Sequence, residues 1–439
     1  MFGEKQQPDV SPEQSNHGTI DMASLQNFGA GRAVCTTLEG QQPLLRSNMP
    51  ELDSIRGLAI VAVLCYHGFF WQTDVSNFNT IERSFVFAMS AGRLGVNLFF
   101  VLSGFLITGL LIESRDRFDY YRRFYIRRAL RILPAYYAIL AILAVTQRDA
   151  GPFLLFSLIY LSNLTPLVGI SISYGVLWSL AVEEHFYLLW PLIVRQLSLR
   201  RLALCAGWIV AITPFLRLLS FYAGDRSGFV SYVCNGYTWN ASDGLACGAL
   251  FAALIREFKP SRRQVFAISI TSISVAALLW IISLPFGIGT RQRALGASLQ
   301  VTPWNVVFAG LLGLFLLLGT STWRFLVIPR ILRFFGEISY GLYLVHVLIF
   351  EAYDHLIGRS LVTSGIHGHR FGALCVRFVC AASVAVIIAY VSRRWFENPF
   401  LRLKDRLSSG QEFLLPPPGS GGGLSTSNEE VKSSLGGAV

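Results

Sequence analysis

Charge is what this sequence has least of. Asp, Glu, Lys and Arg make up only 14% of its 439 residues, against 53% hydrophobic, where a soluble globular chain carries about 25% charged residues. So apolar a chain is not an intrinsically disordered one. Nor is it an ordinary soluble fold, which would intersperse charge at helical or strand spacing on its exposed faces. Metal-type or disulfide-type cysteine spacing is missing as well. The seven cysteines, Cys35, Cys65, Cys205, Cys234, Cys247, Cys375 and Cys380, include no CxxC pair and mostly sit inside apolar runs, where packing is their role. No basic domain or basic tail exists either, so the net charge of +11 does not point to a nucleic-acid partner.

What is present is segregation of charge. Residues 57–73, 94–112, 150–182, 264–290 and 294–323 contain no Asp, Glu, Lys or Arg. A membrane span needs about 20 mostly apolar residues, so the chain reads as an all-α polytopic transmembrane helical bundle. Ten spans are expected at about 54–73, 94–113, 132–147, 177–195, 202–222, 239–256, 264–284, 304–320, 338–357 and 371–392. With ten, the loops on one side together with the C-terminal flank hold 22 Lys and Arg, against 8 on the other. An eleventh crossing at 150–166 would destroy that asymmetry. The positive-inside rule therefore puts both termini in the cytoplasm and makes 150–170 a partly embedded or re-entrant segment.

Residues 1–50 are polar and mixed, expected to be a disordered cytoplasmic segment without a signal peptide. The tail 406–439, with "LLPPPGSGGGLSTSNEE", is rich in Pro, Gly and Ser and expected to be disordered. Chemistry is thus left to a membrane domain at 51–405.

Ionisable residues in or beside the spans are the candidates for that chemistry, since Asp, Lys or Arg at a helix centre costs roughly 2.5–3.5 kcal/mol on insertion scales. They are Arg56, His67, Glu183, Glu184, His185, Arg217, Asp243, His346, Glu351 and Arg377. Arg217 and Arg377 are expected to snorkel or pair; the set as a whole implies a polar interior cavity. In a regular helix Arg56 and His67 fall on one face, about 16 Å apart along the axis. A histidine sharing a stripe with an anion-holding arginine is a candidate for acid–base work.

The segment "RFDYYRRFYIRRALRILPAYY" is expected to be a cytoplasmic loop, and Arg rather than Lys suits bidentate phosphate contacts. Within it Arg127 and Arg128 precede Arg131, and if the segment is helical Arg128 and Arg131, three apart, project together. A plain topology signal or an anionic lipid headgroup would use the same arginines. A third feature, "LWSLAVEEHFYLLWPL", buries Glu183, Glu184 and His185, which could pair with Arg56, orient a histidine or form a structural ion pair. His367 and His369 in "HGH" are too few for a metal site. The spacing from His346 to Glu351 superficially matches the His-and-acid motif of soluble lipid acyltransferases and, in an apolar helix, is read as chance.

In order along the chain, "ELDSIRGLAIVAVLCYH", "GVNLFFVLSGFLIT", "RRFYIRRALRILPAYY", "LWSLAVEEHFYLLWPL", "SDGLACGALFA", "GEISYGLYLVH" and "FENPF" resemble the membrane acyltransferase 3 family, which includes bacterial O-antigen and exopolysaccharide O-acetylases. The resemblance covers 51–405. It implies transfer of an acyl group, commonly acetyl, from cytoplasmic acyl-CoA to a hydroxyl of a glycan, lipid-linked sugar or small molecule. It also implies a bacterial inner (plasma) membrane location and no metal. The family's Arg, ten residues, His pattern falls on Arg56 and His67, and its Arg-x-x-Arg pattern on Arg128 and Arg131. "SLAVEE" carries Glu184, and "FFVLSG" carries Ser103. Many members have an arginine where this chain has Ala241, so no acceptor-binding role passes to that stretch.

On this basis His67 is expected to act as general base, Arg56 to orient the thioester or His67, and Glu184 to stabilise the imidazolium. The donor's phosphates fall to Arg127, Arg128 and Arg131, with Ser103 beside them. A covalent acyl-His67 is the competing mechanism. A transporter or glycan exporter relaying protons through buried His and Glu is the competing function, against which the two halves of the sequence show no internal similarity.

Overall fold

The computed structural model describes residues 43–46, 49–71, 73–76, 78–224, 236–289, 293–358 and 370–409. The two expected disordered ends, beyond these bounds, lie outside the described residues, as do His367 and His369. Long apolar stretches that must satisfy every backbone group internally form helices, and the described residues contain helices and no strands. They are α1 (Pro50–Cys65), α2 (Thr80–Met89), α3 (Gly95–Glu113), α4 (Tyr120–Thr146), α5 (Gly151–Leu158), α6 (Leu177–Gln196) and α7 (Leu199–Gly224). Then follow α8 (Thr238–Phe258), α9 (Arg262–Ser283), α10 (Ala294–Leu299), α11 (Thr302–Gly319), α12 (Arg330–Tyr353), α13 (Arg370–Val391) and α14 (Asn398–Ser409).

Every expected span coincides with one long helix: α1, α3, α4, α6, α7, α8, α9, α11, α12 or α13. Eight of these, alone or with flanking turns, are long and apolar enough to cross a membrane. The other two, α6 and α8, carry Glu183, Glu184 and Asp243 and contribute to the interior, where polar residues are tolerated. Outward faces are aliphatic and aromatic, as lipid contact requires: Trp208 is 72% exposed, Ile281 61% and Ile387 60%.

The arginine-rich segment is not a loop. Only Ser114–Asp119 connects α3 to α4, and the helix already begins at Tyr120, so Arg122–Arg131 form its first turns. Segment 150–170 breaks into α5 and a short 3₁₀ turn, Ser162–Val168, with Tyr160 in the left-handed region between them. Eight residues of α5 reach about 12 Å, well short of a core about 30 Å thick. The Tyr136 hydroxyl holds this piece to α4 by donating to the Ser157 carbonyl at 2.7 Å.

Close approach of α1 to α12 sets the centre of the bundle. A Cβ on Gly57 would lie 1.9 Å from the Leu332 carbonyl oxygen, and one on Gly336 2.0 Å from that of Asp53, so both contacts need glycine. The same two helices meet again at His67 and His346, which makes them parallel. Away from this seam, Arg217 of α7 is 1% exposed and forms a buried ion pair with Asp243 of α8. Its remaining donors reach the carbonyls of Asn240 (2.6 Å) and Ser298 (3.3 Å) and the Thr302 hydroxyl (2.9 Å). This is the pairing that an arginine within a span requires.

Candidate active site

Five helices line an open cavity. α1 supplies Arg56, α3 Ser103 and its apolar neighbours, α4 Arg128 and Arg131, α6 Ser179, Glu183, Glu184 and Tyr187, and α12 Ser339, Tyr340 and Tyr343. Because α4 is helical from Tyr120, Arg128 and Arg131 share a face and both turn inward. Arg128 lies over the Tyr187 ring at 5.0 Å, a cation–π contact that fixes the guanidinium without neutralising it. Among the described residues neither Arg128 nor Arg131 has a carboxylate within ion-pair distance, whereas Arg56 donates to Asp53 at 2.7 Å. Tyr187 is hydrogen-bonded to Ser103 at 2.5 Å and donates to Glu183 at 3.3 Å. The cavity therefore offers two uncommitted guanidiniums, which suits an anionic guest, with Glu183 and Glu184 on the wall formed by α6. Arg127, one position round the helix from Arg128, does not line it.

His67 lies elsewhere. Beyond Cys65 the helix widens into a π-type turn, Tyr66–Phe70, and His67, unlike Arg56, does not line the cavity. The turn frees carbonyls, and Arg377 takes up that of Gly68 at 2.7 Å while gripping Asp354 with two bonds of 2.6 and 2.7 Å. A Cβ on Gly68 would fall 2.3 Å from the Phe378 ring, so glycine lets α13 close on the turn.

Held there, His67 Nδ1 is 3.0 Å from the Val63 carbonyl and 3.2 Å from His346 Nε2. His346 Nδ1 is 2.8 Å from the Tyr343 carbonyl, an acceptor only, so that nitrogen carries the hydrogen and Nε2 is the lone pair. By the same logic His67 Nδ1–H donates, and His67 Nε2 is left as the basic nitrogen. Glu184 faces the cavity on α6 and is not the neighbour of His67; His346 takes the place expected for it.

Tyr343 joins the two halves. It lines the cavity, its hydroxyl meets that of Ser179 at 2.5 Å, and its ring lies 5.7 Å from His346. One route thus runs from the arginine-rich end of the cavity to Tyr343, then to His346 and His67.

Residues 49–394 match the acyltransferase domain family. The chain belongs to the acyltransferase 3 family. It is 32% identical over 166 residues to the peptidoglycan O-acetyltransferase OatA of Listeria monocytogenes, covering 33% of this chain and 24% of that one. It is 33% identical over 167 residues to a putative peptidoglycan O-acetyltransferase, YrhL, of Bacillus subtilis, covering 33% and 23%. A putative O-acetyltransferase of Staphylococcus aureus is 26% identical over 385 residues, 80% of this chain and 57% of that one. The chain therefore spans well under two thirds of the length of these curated relatives. No solved structure matches it.

In this acyltransferase 3 member, Arg56, Ser103, Arg128, Arg131 and Glu184 converge on one cavity, and His67 stands behind it. Sequence reasoning did not bring His346, Tyr343 and Ser179 together with the cavity and His67. His346 was visible as an ionisable residue in a span, but nothing in the spacing said which of several buried charges would meet His67. Among the described residues no three His, Cys, Asp or Glu side chains are grouped to hold a metal ion.

Proposed function

We propose that this multi-pass membrane protein is an O-acyltransferase that moves an acyl group, acetyl in the simplest case, from cytoplasmic acyl-CoA to a hydroxyl of a glycan, lipid-linked sugar or small-molecule acceptor. The membrane would be the bacterial inner (plasma) membrane, with both termini on the cytoplasmic side. The observation that carries the proposal is the chain of contacts from Arg128 and Arg131, across the cavity to Tyr343, and on to a histidine pair in which the basic nitrogen of His67 has no partner among the described residues. O-acetyltransferase relatives support the acyl group and the hydroxyl acceptor.

Arg128 and Arg131 would hold donor phosphates by charge-assisted hydrogen bonds, with Arg127 adding charge near the mouth. The pantetheine arm would then lie along the wall of α3 and α6, its thioester directed at Tyr343 and the histidine pair. Arg56 and Ser103 bound this channel, and Glu183 and Glu184 face it.

His67 Nε2 removes the proton of the acceptor hydroxyl as its oxygen attacks the thioester carbonyl. The C–S bond breaks, and the departing thiolate recovers the proton from the imidazolium. While charged, His67 donates through Nδ1 to His346 Nε2, a stronger bond than in the neutral state. Cell-surface glycans and lipids of a deletion strain, compared with its parent by mass, test the proposal: loss of an acyl increment from one component is expected, and identical profiles would oppose it.

A further inference from the structure

The proposed function leaves a group of side chains at the end of α1 unused. There Tyr66, His67 and Trp71 form a triangle of rings, with centroids 4.9 Å apart for Tyr66 and His67 and 6.0 Å for each of the other two pairs. Phe70 stacks on Tyr66 at 5.7 Å and approaches Phe87 of α2 at 6.2 Å. Trp71 remains 46% exposed and Phe87 54%. Gly92 packs against the Ala62 carbonyl and the Tyr66 Cβ, and its neighbour Arg93 is close enough to Tyr66 to interact with it electrostatically. Arg93 is partly buried and, among the described residues, has no carboxylate partner.

This shelf lies directly against the His67 ring. Nδ1 of His67 is engaged by Val63 and His346; Tyr66 and Trp71 are the remaining aromatic neighbours of the ring. A pyranose presents one face of C–H groups that packs flat on an aromatic ring, while its hydroxyls stay at the rim. A guanidinium at the edge of such a shelf suits an acidic substituent on the sugar.

We propose that Tyr66, Trp71 and Arg93 form the acceptor subsite, taking a pyranose that carries an anionic group and presenting its hydroxyl to His67. The subsite rests on His67 being the reacting base, as proposed above. An interfacial aromatic belt would use the same residue types, but it would have no reason to surround this histidine or to set beside it an arginine that has no carboxylate partner among the described residues.

Saturation-transfer NMR of the full chain in detergent, with an acidic tetrasaccharide of alternating N-acetylglucosamine and glucuronate, tests this without requiring turnover. The neutral N-acetylglucosamine tetrasaccharide is the comparison. Transfer to ring C–H protons is expected in the wild type, falling about tenfold in Trp71→Ala and persisting in Trp71→Phe. Arg93→Gln should bring the acidic sugar down to the level of the neutral one. No transfer in the wild type, or equal transfer in Trp71→Ala, would overturn the subsite and return the rings to the lipid interface. If the sugar binds as expected but the same preparation releases no acetyl group from acetyl-CoA, the proposed function fails and the acceptor role with it, while the sugar-binding site itself stands.

Discussion

His67 and His346 depend on each other for their tautomers. Because the Tyr343 carbonyl fixes the hydrogen on His346, the first prediction is that His346→Ala lowers the transfer rate by about tenfold or more. Donor affinity should be unchanged, since His346 lies outside the arginine cavity. His346→Gln, which restores an acceptor for His67 Nδ1–H, should recover part of the rate, and a variant series in which Gln is no better than Ala would contradict the pairing. The sequence made His67 legible because a histidine within an apolar run is conspicuous. It did not make the partner legible: His346 is 279 residues away, and contacts between distant helices leave no trace in local spacing.

At the level of elements, α4 does more than carry basic charge. Its helical start turns Arg128 and Arg131 into the same cavity, so Arg128→Ala with Arg131→Ala should weaken acyl-CoA binding by about tenfold or more, read by calorimetry on the purified protein. Affinity equal to wild type would leave those arginines to topology. The α7–α8 contact makes a stability prediction instead. Asp243→Asn would strand Arg217 as a buried, unneutralised charge, at a cost of about 3–5 kcal/mol. A thermal unfolding scan in detergent should show a clearly lower midpoint; an unchanged midpoint would mean the pair contributes little. Likewise Gly57→Val should separate α1 from α12 and prevent recovery of folded protein, given the 1.9 Å that a Cβ would have from Leu332. Runs of apolar residues were enough to locate these helices. Their ends were less clear, because Arg and Tyr are compatible with either a basic loop or a helical turn, and only the structure decides for α4.

Across the whole molecule, the segregation of scarce charge is what organises function. Basic residues concentrate at the ends of helices, aliphatic side chains face outward, and the few interior charges fall into two roles. Arg217 with Asp243 and Arg377 with Asp354 are structural pairs, whereas Arg128, Arg131, Glu183 and Glu184 are left without ion-pair partners among the described residues. Composition could announce a polar interior but not divide it this way, since pairing is a property of the assembled bundle. The central claim joins the two ends of that interior: a donor held by the arginines reacts at His67. Purified protein given labelled acetyl-CoA and an extract of its own membrane glycans and lipids tests it directly, with wild type and His67→Ala assayed for both donor binding and transfer. The account predicts that the variant binds acetyl-CoA as tightly as wild type and loses transfer by about 10²–10⁴-fold. A folded His67→Ala protein that turns over at the wild-type rate would contradict it.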